Sequence, residues 1–170
     1  MKVNSAITAL EISLMKRTVK LSVDHVHSGG IPFSALVVDE SGNVLSEGVN
    51  QVNELSDPTA HAEIMAIRAA CKASGSADIS GKVLYASGEP CALCYMAARF
   101  AGIKTIYIAS DRHEAAKAGF DYRWTYDFFK NEVPSEVIEV KKLDVYNFNQ
   151  SFEYWNELAH SKGNWRQWVL

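Results

Sequence analysis

Residues 58–71, PTAHAEIMAIRAAC, and 87–98, SGEPCALCYMAA, decide how this chain folds. In each, a proline stands just ahead of a run of strong helix formers, where its missing N–H costs nothing. Each helix entrance carries residues that bind metals: His61 in the first, Cys91 and Cys94 in the second. Cysteines at i and i+3 share one helical face, so both sulfurs can reach one ion at about 2.3 Å. A lone C-x-x-C is a weak signal; joined to a histidine at a second helix entrance it becomes specific. One imidazole and two thiolates suit zinc and leave one tetrahedral position for water, the pattern of a catalytic rather than a structural site. The positive ends of the two helices favour thiolate and hydroxide there. Glu63 is the group to move the water's protons. Residues two apart on a regular helix diverge by about 200°, so sharing a site puts His61 and Glu63 at the helix boundary. Cys71, ten residues beyond His61, lies about 15 Å along the same helix and reads as a core residue.

Outward from these stretches, apolar spacing predicts a first helix over residues 4–27, ended by Ser28-Gly29-Gly30. β-rich runs at 33–39 and 43–50, joined by Glu40-Ser41-Gly42, read as a hairpin, followed by a polar loop over 51–57. Strands are expected at 83–87, 104–109 and 137–142, short helices over 114–130, and a helix over 150–161. This order implies an α/β fold of three layers, α/β/α, around a central mixed five-stranded sheet, with strand-to-helix turns presenting the chemistry. The 170 residues are enough for one domain, 1–170, and too few for two.

The formal charge of -3 offers no net attraction to phosphate backbones, so nucleic acid is a disfavoured partner. No run approaches the roughly 18 apolar residues of a membrane span, and the first residues carry charge through their apolar stretch, unlike a signal peptide. With three cysteines, two of them in the metal pair, this points to a reducing, cytoplasmic setting. His25, His27, His113 and His160 lack partner spacing and read as surface or hydrogen-bonded histidines. The tail, with Trp155, Trp165 and Trp168, is too rich in indole for a solvent-facing end, which implies packing on the body or on a second subunit of a homodimer.

H-x-E followed by P-C-x-x-C is the signature of zinc-dependent base deaminases. TAHAEIMAIRAA and EPCALCYMAA resemble the cytidine deaminase-like superfamily, and residues 8–120 resemble its branch of guanine, cytosine and tRNA adenosine deaminases. HEAAKAGFD at 113–121 is most similar to the guanine deaminases. The resemblance implies hydrolytic deamination of guanine or another amino-purine, releasing ammonia, with one Zn²⁺ per chain on His61, Cys91 and Cys94 and with Glu63 as proton shuttle. It further implies that Asn50 reads the base through its amide, that the backbone N–H groups of Ala62 and Cys91 lie near the substrate, and that Phe33 stacks on the ring. A core role for Phe33 is an equal alternative. Where the guanine deaminases continue with a second aspartate, this chain has Tyr122, so the carboxylate is replaced by a phenol or displaced to Asp121 or Asp127. Trp165 falls near an aromatic C-terminus that closes over a neighbouring active site in that family; plain core or dimer packing is the alternative. Two other readings stay open: a tRNA adenosine or cytosine deaminase, and a zinc-stabilised scaffold without activity.

Overall fold

Alternation along the strands sets the layers. Ala35 and Val37 of β1 (Ile31–Val38) face one side and Leu36 and Val38 the other, each set wholly buried, so both faces of the sheet must be covered. The computed structural model describes residues 7–129 and 139–162. β2 (Val44–Asn50), β3 (Val83–Gly88), β4 (Thr105–Ser110) and β5 (Glu139–Lys142) complete a five-stranded sheet of order β2-β1-β3-β4-β5. β1 runs antiparallel to both β2 and β3, while β3, β4 and β5 are parallel, so the sheet is mixed as expected.

On one face lie α3 (Ala62–Ser74) and α4 (Ala92–Phe100), whose Ala66, Ile67, Ala70, Tyr95 and Ala98 pack with Leu84, Ile106 and Ile108. On the other lies α1 (Ala9–His27), whose Leu14, Met15 and Val19 pack with Tyr85, Tyr107 and Ala109. α6 (Gln150–Lys162) rests against α1 and β1. α3 approaches β2 so closely that a Cβ on Gly48 would strike the Ala62 carbonyl and the Ala66 backbone, while Ser46 Oγ donates to the Ala66 carbonyl at 2.7 Å. The missing side chain at Gly48 therefore sets how near the start of α3 sits to the sheet edge.

The sequence-based boundaries need three corrections. The first helix starts at Ala9 rather than near residue 4, because Thr8 and Glu11 close a capping box there. The expected loop over 51–57 contains a one-turn helix, α2 (Val52–Leu55), stopped by Ser56 at φ 49. Cys91 does not lie within α4 but is its N-cap, in extended conformation. The short helices expected after residue 113 resolve into α5 (Arg112–Lys117) and a 3-10 segment, Arg123–Phe129. Residues 137 and 138 of the expected last strand lie outside the described residues.

Candidate metal centre and active site

Two chain turns deliver the site. In the first, Asp57 Oδ1 accepts from the Thr59 N–H at 2.8 Å and the Thr59 hydroxyl at 2.7 Å, and the Gln51 N–H donates to the Ala60 carbonyl at 2.9 Å. This ties Asn50, the last residue of β2, to the segment that enters α3 with His61 as N-cap, at φ -65 and ψ 155. His61 is thus extended while Glu63 lies in the first turn, which lets residues two apart turn to one side. In the second turn, the Glu89 N–H donates to the Ser110 carbonyl of β4 at 2.8 Å, and Pro90 leads to Cys91 as N-cap of α4.

The two helix entrances converge. His61 Nδ1 lies 3.5 Å from Cys91 Sγ and 3.4 Å from Cys94 Sγ, and the two sulfurs are 3.7 Å apart. A tetrahedral zinc with Zn–S of about 2.3 Å and Zn–N of about 2.0 Å would set sulfurs about 3.8 Å apart and sulfur and nitrogen about 3.5 Å apart. The three donors therefore fit one zinc ion without rearrangement, and among the described residues they are the group of histidine, cysteine and acidic side chains so placed. Cys71 is free and partly buried, and takes no part in this group.

The two sulfurs and the Glu63 carboxyl are buried, and burial and their neighbours shift them in different directions. The Cys94 thiol hydrogen bond, followed by the His61 imidazole, holds Cys91 down to about 4 against the opposing effect of burial. Burial pushes its wholly buried neighbour Cys94 up. Glu63 is buried, and its Oε2 lies 3.5 Å from Cys94 Sγ. Burial is the main cause of its rise to about 7; His61 pulls it down and Cys91 pushes it further up.

The other sequence-identified residues fall as follows. Asn50 is buried, its Oδ1 accepting from the Val52 N–H at 3.2 Å. Ala62 is buried at the first position of α3. Phe33 is half-buried and meets Phe120, Phe152 and Tyr122 at centroid separations of 5.2, 5.4 and 6.3 Å; a Cβ on Gly88 would press 2.8 Å from its ring. Tyr122 packs on the cluster of Ile64, Cys91 and Cys94, and its hydroxyl donates to the Glu89 carbonyl at 2.6 Å. Asp121 is exposed and paired with Arg123 at 2.6 Å. Asp127 is exposed on the 3-10 segment. Trp165 and Trp168 lie outside the described residues, whereas Trp155 of α6 packs on Phe120 at 5.5 Å.

The partners of three residues near the site leave no signal in the sequence. His25, expected as a surface or hydrogen-bonded histidine, is the latter: its Nε2 lies 2.7 Å from the Asn50 carbonyl, so it holds the end of β2. Thr125 Oγ1 accepts from the Ala92 N–H at 3.3 Å, and the Tyr126 hydroxyl donates to the Pro90 carbonyl. A pair of tyrosines four apart after a GFD turn was the available clue to the last two.

Comparison with known proteins agrees with this geometry. The pattern of the cytidine and deoxycytidylate deaminase zinc-binding region matches residues 9–110. Guanine deaminase of Bacillus subtilis is 35% identical over 151 residues, 88% of this chain and 96% of that protein. A tRNA-specific adenosine deaminase of Aquifex aeolicus is 35% identical over 127 residues, 68% of this chain and 83% of the relative. The X-ray structure of the Bacillus subtilis guanine deaminase superposes with a TM-score of 0.64 at 34% identity, covering 85% of this chain and 92% of that one. This chain belongs to the cytidine and deoxycytidylate deaminase zinc-binding family, and His61, Cys91 and Cys94 are placed to hold its one zinc ion.

Proposed function

We propose that this protein is a hydrolytic deaminase of a small amino-heterocycle, guanine or another amino-purine, with Glu63 as its proton shuttle. The observation that carries the reading is the buried Glu63 carboxylate, 3.5 Å from one sulfur of a three-donor zinc group. Zinc, when bound, supplies an acidified water as nucleophile at neutral pH. Glu63 would take one proton from the attacking water and pass it to a ring nitrogen, then take the second from the hydroxyl left on the ring carbon and pass it to the amino group, which departs as ammonia, acting as base and then acid in each transfer. A carboxyl group raised by burial is suited to both duties.

Asn50 orients the ring: its Oδ1 is engaged by the Val52 N–H, which leaves its amide N–H groups to donate to a ring oxygen or nitrogen. The N–H groups of Ala62 and Cys91 serve the reacting edge, and Phe33, framed by Phe120, Phe152 and Tyr122, offers a face for stacking. Tyr122 bounds the far edge with a ring, and Asp121 lies beside it as the nearest carboxylate in sequence. The working unit in this reading is a cytoplasmic homodimer of single-domain chains. Among the described residues no helix is long and apolar enough to cross a membrane.

A transfer RNA substrate is the second reading, favoured by the Aquifex aeolicus relative and opposed by the net charge of -3. An ammonia-release screen across guanine, guanosine, cytosine, adenine, isoguanine and triazine amines separates the two. The expected result is release from an amino-purine. Release from none of them, with deamination confined to an anticodon stem-loop, would replace the first reading by the second.

A further inference from the structure

The turn that carries Cys91 is held at three of its residues, Glu89, Pro90 and Ala92, all by one short segment. The Tyr122 hydroxyl donates to the Glu89 carbonyl at 2.6 Å, the Tyr126 hydroxyl donates to the Pro90 carbonyl, and Thr125 Oγ1 accepts from the Ala92 N–H at 3.3 Å. None of the three touches His61, Cys91 Sγ or Cys94 Sγ through these bonds. Among the described residues Tyr126 is the largest of the fully buried side chains. Its ring is fixed on one side by the Arg112 guanidinium, 4.3 Å from the centroid, and on another by the edge of Tyr95 at 6.2 Å. The backbone N–H of that same Arg112 donates to Glu89 Oε2 at 2.8 Å, so the side chain of the turn's first residue is anchored as well.

A trans peptide is planar, with its C=O and N–H pointing in opposite directions. No cis peptide occurs among the described residues. Fixing the Pro90 carbonyl on Tyr126 therefore fixes the direction of the Cys91 N–H, away from Tyr126. Thr125 then satisfies the first N–H of α4, which Cys91 as N-cap leaves without a side-chain partner. We propose that Tyr126, aided by Thr125 and Tyr122, is a positioning latch that sets the Pro90–Cys91 peptide and so aims both the Cys91 sulfur and the Cys91 N–H. The phenol of Tyr122, which stands where the resemblance expects a carboxylate, has its hydroxyl committed to this latch. Its influence on the substrate is accordingly through its ring.

The catalytic part of the inference rests on the proposed function, because it needs the Cys91 N–H to meet the substrate; the metal part does not. The test uses whole zinc-loaded protein and the variants Tyr126→Phe and Thr125→Val. Tyr107→Phe serves as control, since it removes a buried phenol from the opposite face of the sheet, where that hydroxyl donates to Glu11. Zinc release to a chromogenic chelator is followed well below each protein's melting temperature, and kcat and KM are measured on the best base. Outer-shell partners of a metal site typically govern affinity or activity by about 10- to 100-fold. Tyr126→Phe is expected to keep one zinc per chain, to release it at least about 10-fold faster, and to lower kcat by a similar factor with KM within about threefold. Thr125→Val should do the same more weakly, and Tyr107→Phe should lower the melting temperature alone. Zinc release from Tyr126→Phe and Thr125→Val matching wild type, or Tyr107→Phe matching Tyr126→Phe, would overturn the latch. Should no base be deaminated even by wild type, the release rates still decide the latch while the functional reading fails by itself.

Discussion

Two pairs of helices begin in opposite ways. α1 and α5 start with closed capping boxes. Thr8 Oγ1 accepts from the Glu11 N–H at 3.2 Å while Glu11 accepts from the Thr8 N–H at 2.6 Å; Asp111 and Glu114 repeat the exchange at 2.9 and 2.8 Å. α3 and α4 start with His61 and Cys91, neither of which makes a side-chain cap. The N-cap is the one position whose side chain naturally turns across a helix end, and in α3 and α4 that direction is devoted to the metal. An uncapped start typically costs about 0.5–2 kcal/mol, and the compensation is visible: α3 leans on Gly48 at the sheet edge, and α4 borrows Thr125. Function here occupies positions that would otherwise stabilise the helices.

The sharpest way to break this comparison is to turn a functional start into an ordinary one. His61→Asn places a favoured N-cap residue at a position already extended at φ -65 and ψ 155, without adding a charge beside Glu63. Zinc and ammonia release should vanish together. The metal-free variant should nonetheless melt above metal-free wild type by a few degrees, the equivalent of about 0.5–2 kcal/mol in a chain of this size. Elemental analysis and calorimetry of both stripped proteins check it. A stripped variant melting at or below wild type would mean that α3 gains nothing from a cap.

Glu63→Gln separates the shuttle from the metal on the same helix turn. The amide keeps the size and burial of the carboxyl but accepts no proton, so zinc should stay at one per chain while turnover drops by about 10²- to 10⁴-fold. Near-wild-type turnover would remove Glu63 from the mechanism.

The contrast between the two pairs also explains what the sequence made legible. His61, Glu63, Cys91 and Cys94 could be read because metal chemistry restricts residue type and because each ligand sits within a few residues of a proline and a helix-forming run. The sheet could be read because β1, β3 and β4 are short apolar runs with turn residues at their ends. α2 was hidden, since four residues, Val-Asn-Glu-Leu, are too few to show helical periodicity. What His25, Thr125 and Tyr126 hold was hidden for another reason. Each acts on a backbone carbonyl or N–H far away in sequence, 25, 33 and 36 residues off, and a backbone group leaves no trace in residue type.

The next test concerns the ring at the edge of the site rather than the helix starts. Tyr122→Asp places a carboxylate where the resemblance to the guanine deaminases expects one, and under the proposed function it offers guanine's N–H donors a charged acceptor. One such bond is worth about 1.5–3 kcal/mol, so the ratio of guanine turnover to that of any other accepted base should rise on the order of 10- to 150-fold. The ratio is the quantity to measure, because loss of the Tyr122 hydroxyl bond to Glu89 affects every substrate alike. An unchanged ratio with guanine already preferred would assign that edge to a neighbouring carboxylate such as Asp121.

The smallest effects belong to the capped helices. Thr8→Ala and Asp111→Ala each remove one half of a capping box and should cost about 0.5–2 kcal/mol of stability, with Asp111, half-exposed, toward the lower end. Zinc content and ammonia release should not move, because neither box meets the metal group. Asp111 adds a pH signature. Burial alone would raise its carboxyl, but the N–H groups of Glu114 and His113 and the Lys142 ammonium outweigh this and hold it below the ordinary aspartate range. A carboxyl depressed in the folded state stabilises fully above its unfolded value of about 3.9, and this contribution fades as pH falls through the folded value. The stability gap between wild type and Asp111→Ala should therefore be constant from neutral pH down to about 4 and close below it. Denaturant melts at a series of pH values measure the gap. A gap that persists into strong acid would mean that Asp111 acts through packing rather than as a charged cap, and the contrast with His61 and Cys91 would lose its electrostatic half.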